Sequence, residues 1–167
     1  AAGGAAQLWN RTSTGDVARL RGLVLALSRY DRTSARVRPW LLSLLDSDPD
    51  VVAEAIDGLA RIDDSASAER VLSLGAHASE YVRGAVLRYA SRTVPSEAWP
   101  LLERAAADPH FIVRENVADE LADLNDPRAQ PLLERLAVDP HPHVAEAAQS
   151  ALEQLQAAHP GHGQVGD

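Results

Sequence analysis

Two short stretches hold the residues best suited to chemistry. Asp108-Pro109-His110 recurs 31 positions later as Asp139-Pro140-His141, with His143 two residues further on. Two histidines and two carboxylates on stacked turns, about 10 Å apart, have the donor types that hold a divalent ion. No third histidine completes a recognised zinc spacing, so the favoured reading is mechanical. In that reading aspartate caps the next helix, proline stiffens the turn and histidine lies in solvent. No metal and no cofactor is expected.

A second candidate is the pair Asn116 and Glu120, four residues apart and therefore on one helical face. A partly buried carboxylate beside an amide suits a base of raised pKa or a ligand contact. The preferred reading is again structural: an exposed stretch of helix, or a pairing of Glu120 with an arginine such as Arg83 or Arg88.

These residues stand in a repeating frame. Val52, Val82, Val113 and Val144 are the same position of one unit, spaced 30, 31 and 31 residues apart. Ile56, Val86, Val117 and Ala148 form a second column, and Leu42, Leu72, Leu102 and Leu133 a third. Two helical patterns per period is the signature of an all-α solenoid, in which stacked units bury a core that no single unit could. First helices are expected near Val51–Ile62, Tyr81–Arg92, Phe111–Leu124 and His143–Ala157. Second helices are expected near Ala66–Gly75, Ser96–Ala107 and Arg128–Val138, with a helix opening at Pro39 before them. Pro100 and Pro131 each remove a backbone donor, so irregular first turns are expected in their helices.

At the ends, residues 1–11 read as a flexible segment. Ser13 to Asp16 reads as a capping box that opens a helix running to about Tyr30. Residues 12–158 form one repeat domain, followed by a disordered tail at 159–167. The 167 residues contain no cysteine and no lysine, and the net charge is −8. That acidity disfavours nucleic acid, whose phosphates it repels. No apolar run of 18 residues exists, and Ala1–Asn10 lacks the basic and apolar blocks of a secretion signal. No membrane span is expected, and the expected location is cytoplasmic.

The unit Asp108-Pro109, Val113-Arg114, Ala118, Leu121 and Leu132-Leu133 resembles HEAT-like repeats of the phycobilisome-lyase type. The likeness covers about Pro39 to Leu155. It departs from the pattern at Ala78-Ser79, where Asp-Pro is expected, and at Ala53 and Ala145, which replace the arginine. The resemblance implies a right-handed superhelix of about four to five helical pairs. It implies protein–protein binding more often than catalysis, and it carries no universal catalytic residue.

On that basis the second helices should line the binding face. Trp40, Arg70, Trp99, Glu103, Arg104, Glu134 and Arg135 are the candidate partner-binding residues, since tryptophan and arginine are common interface anchors. Trp40 and Trp99 could also suggest the HEAT-like alkylpurine DNA glycosylases, but the chain lacks the basic groove those enzymes need. The expected function is a non-enzymatic protein- or peptide-binding scaffold. The alternative is an enzyme or lyase-like small-molecule binder at Asn116, Glu120 and the nearby tryptophans.

Overall fold

A computed structural model describes residues 37–159, together with Ala18, Gly22 and Leu23. The expected capping box at Ser13–Asp16, the leading segment and most of the tail lie outside the described residues. Eight α-helices and no strands occur among the described residues. They are α1 (Val37–Ser43), α2 (Pro49–Arg61), α3 (Ala68–Leu72), α4 (Glu80–Thr93), α5 (Pro95–Ala105), α6 (Phe111–Leu124), α7 (Gln130–Leu136) and α8 (Pro142–Ala158). The chain divides into two compact units, Ala1–Pro95 and Ser96–Asp167.

In the first unit α2 packs along α4, with α1 and α3 beside them. Proline in the first turn of α2, Asp50 after it and Arg61 in the last turn match the helix's end preferences. Val52, Ile56, Val82 and Val86, the positions set by the repeat, lie in one buried cluster with Leu41, Leu59 and Tyr89. Trp40, Leu42 and Leu72 are half-buried against its edge.

The expected second helix at 66–75 is broken up. Only Ala68–Leu72 is α-helical, with 3-10 turns at Ser65–Ser67 and Ser73–Ala76 on either side. Serines at 65, 67 and 73 and Gly75 are weak helix formers, which accounts for the interruption.

In the second unit α6 packs along α8, and α7 packs against α8. Val113, Val117 and Leu121 from α6, Val144 and Ala148 from α8, and Leu133 from α7 are all buried. Asn125 ends α6 in the left-handed conformation (φ 47°), where its backbone N–H closes onto Ala122 and Leu121. Asp63 takes the matching conformation (φ 55°) two residues after α2. Both turns are followed by an aspartate, Asp64 and Asp126. Pro131 falls at the start of α7, after a 3-10 turn at Pro127–Ala129, so its missing donor is tolerated. Pro100 lies inside α5.

The turns that precede the first helices correct two expectations. Asp108 and Asp139 do not cap their helices directly. Each accepts a hydrogen bond from the backbone N–H two residues on, at His110 and His141 (2.8 Å in both), so each closes an Asx turn. The histidine is the N-cap, and His110 Nδ1 accepts from the N–H of Ile112 at 3.3 Å. Nor does the departure from the pattern before Val82 fall at Ala78-Ser79; it falls one residue earlier. His77 stands five residues before Val82, as Asp108 stands before Val113, and its Nδ1 accepts from Ser79 N–H at 3.0 Å. An imidazole lone pair replaces the carboxylate oxygen there.

Candidate functional site

The Asp-Pro-His turns form a packing device. The Phe111 and His141 rings stack at 3.7 Å with planes 9° apart, and His143 lies 5.4 Å from His141. This corrects the solvent-exposed reading of the histidines, because His141 is half-buried against an aromatic face. The carboxylate of Asp139 belongs to Arg114, which holds it at 2.7 and 2.9 Å through Nε and Nη2. The same guanidinium donates through Nη1 to the carbonyls of Asp108 and Pro109. Arg83, its counterpart one repeat earlier, donates to the carbonyls of His77 and Ala78. The repeat arginine therefore ties down the turn ahead of its own helix. No group of three or more potential metal ligands occurs among the described residues.

Asn116 donates through Nδ2 to the carbonyl of Ile112 at 2.7 Å, so its amide serves its own helix. Glu120 is buried. Arg88, one suggested partner, forks onto Asp57 with two 3.0 Å bonds.

A polar network in the first unit escaped the sequence reading. Asp64, 8% exposed, accepts from Arg38 Nε (3.0 Å) and from Ser67 Oγ (2.5 Å). Tyr89 donates its hydroxyl to the Asp64 carbonyl. Burial, followed by the nearby Asp64 charge, pushes the Tyr89 phenol up to about 12. One signal was present: Tyr89 occupies a column that other units fill with Leu59, Glu120 and Ala151.

The second-helix residues fall in the two units and differ in character. In the first unit Trp40 packs against the core, and Arg70 pairs with Asp46 at 2.8 Å in an exposed contact. Ser43 and Ser73 turn their hydroxyls back to the carbonyls of Trp40 and Arg70. In the second unit the same repeat position carries glutamate. Glu103 accepts from Trp99 Nε1 at 2.9 Å, and Glu134 accepts from Gln130 Nε2 at 2.8 Å. Both are contacts four residues apart, so each carboxylate is held against its own helix.

The Trp99 ring is covered by the guanidinium of Arg128, 5.1 Å from its centroid. Arg128 is aimed by Asp126, whose Oδ2 accepts from Nε and Nη2 at 2.9 and 2.6 Å. That pairing holds the Asp126 carboxyl below its usual range and raises Arg128 above its own. Arg128 covers a candidate residue, Trp99, and was not among the candidates drawn from the sequence. The Asn125-Asp126-Pro127 turn that positions it was visible, but its contact with a tryptophan in another helix was not.

Arg38, Arg70, Arg88, Arg92, Arg114 and Arg128 each pair with an aspartate. Arg104 and Arg135 are both exposed, and neither pairs with a carboxylate among the described residues. They occupy the same position of adjacent repeats.

A comparison with curated proteins finds no match. No described helix is long and apolar enough to cross a membrane. The family model for HEAT repeats matches residues 69–153, more than half of the chain. With its paired helices, buried repeat columns and that match, the chain belongs to the HEAT-repeat family.

Proposed function

We propose that this HEAT-repeat chain is a non-enzymatic protein- or peptide-binding module, working as a scaffold in the cytoplasm through the face of its second helices. The observation that carries the reading is Trp99. Its indole N–H is fixed by Glu103 and its ring is covered by Arg128, so an anchor-type side chain is already ordered. An ordered anchor loses less side-chain entropy on binding than a free one. The phycobilisome-lyase subtype belongs to the same reading, supported by the Asp-Pro and Val-Arg unit at Asp108–Arg114. A small-molecule site at Asn116 and Glu120 has less support, because the Asn116 amide is engaged by its own helix.

The test is calorimetry with a partner recovered from the native host. Trp99→Ala should weaken binding about tenfold or more while leaving helicity intact. Asp123→Asn and Glu146→Gln, exposed on first helices, should leave Kd unchanged. The reverse pattern would place the binding face elsewhere.

A further inference from the structure

The chain has 24 acidic residues against 16 basic ones. With acids in excess, an arginine that finds none nearby is unusual, and six of the described arginines do pair with aspartate. Arg61, Arg104 and Arg135 have no carboxylate partner among the described residues, and of these Arg104 and Arg135 are exposed and stand at equivalent repeat positions of α5 and α7. The nearest acids in sequence, Glu103 and Glu134, are drawn instead to neutral donors at Trp99 and Gln130. Arg128, just before α7, lies over Trp99 of α5 and is steered by Asp126, its side chain 72% exposed. Val138, 81% exposed, follows α7 and adds apolar surface near Arg135 in sequence.

Resting on the binding role argued above, we propose that this face of the second unit takes an acidic, extended segment of a partner protein, with Arg104 and Arg135 as its two carboxylate anchors. A guanidinium presents a planar fork that matches a carboxylate with two parallel bonds. Helices of neighbouring repeats lie about 10 Å apart. A segment extended as a polyproline II helix advances about 3.1 Å per residue and returns to the same side every third residue, so the two anchors match acids about three residues apart. Arg128 on its indole platform meets the stretch between them. Glu103 and Glu134 repel a segment uniformly lined with acids, which favours the spaced pattern over a plain acidic run.

The probe is a capped, fluorescein-labelled twelve-residue peptide with glutamate at every third position, titrated against the full chain by anisotropy. Companion peptides carry glutamine or lysine at the same positions, and a single-stranded oligonucleotide of equal charge forms a further arm. Expected is binding of the glutamate peptide alone, weakened about tenfold or more by Arg104→Gln with Arg135→Gln. Circular dichroism of that double variant should match the parent, since both side chains are exposed. Equal binding of the glutamate and glutamine peptides, preference for lysine, tighter binding of the oligonucleotide, or an unaffected double variant each overturns the proposal. A partner whose binding depends on Trp99 but not on Arg104 and Arg135 would also overturn it and leave the broader binding role standing. Independence from all three residues would remove both.

Discussion

Arg114 grips Asp139, 25 residues away, with two parallel bonds of 2.7 and 2.9 Å, and uses its remaining nitrogen to hold the carbonyls of Asp108 and Pro109. One guanidinium thus joins the turn before α6 to the turn before α8. Both side chains are largely buried, 14% and 8% exposed, so solvent screens the pair weakly.

This pair sets an acid limit on stability. The Arg114 guanidinium holds the Asp139 carboxyl below its usual range, so the unfolded chain takes up that proton at a higher pH than the folded one. The pair's contribution is therefore complete above the unfolded carboxyl's pKa and fades as pH falls toward the lower folded value. Arg114→Gln should cost about 3–5 kcal/mol at neutral pH, since it strands a buried carboxylate. Urea melts between pH 7 and 3 should converge for parent and variant as the acid limit is approached. A constant gap would dissociate Asp139 from the effect.

Tyr89 works in the opposite direction. Its phenol is pushed up to about 12, so the unfolded chain ionises first as pH rises. Stability from the buried, neutral hydroxyl is complete below the unfolded value of about 10 and is lost between there and about 12. Tyr89→Phe should cost about 1–2 kcal/mol at pH 7 by leaving the Asp64 carbonyl without this donor. It should also flatten that alkaline decline in a thermal-melt series. A variant as pH-sensitive as the parent would contradict this.

His77 supplies a test of the repeat logic. Because its Nδ1 does the work of an aspartate oxygen, His77→Asp should keep the Asx turn and leave the melting temperature nearly unchanged at pH 7. His77→Ala removes the acceptor and should cost about 1 kcal/mol. If both variants lose stability equally, the hydrogen bond to Ser79 is not what the position supplies.

Duplex DNA should not bind at physiological salt. The net charge of −8 opposes it, and six described arginines are already neutralised by aspartates. Sub-micromolar affinity in an anisotropy titration would overturn this and return the glycosylase comparison to consideration.

What the sequence determined by itself is the repeat and its buried columns. Val52, Val82, Val113 and Val144 recur because every unit must present the same apolar side chain to a neighbour, and that demand is written into spacing. Helix type and approximate limits follow from the same period. What only the tertiary structure decided is which polar groups meet. Arg114 reaches Asp139, Tyr89 reaches the Asp64 carbonyl, and Arg128 covers Trp99, each across 25 or more residues. A long polar side chain has several partners within reach along the sequence, and spacing ranks none of them. Packing of the apolar columns fixes where each chain emerges, and hydrogen-bond geometry then selects one partner, as it selected Asp126 for Arg128 and gave Arg104 and Arg135 none among the described residues.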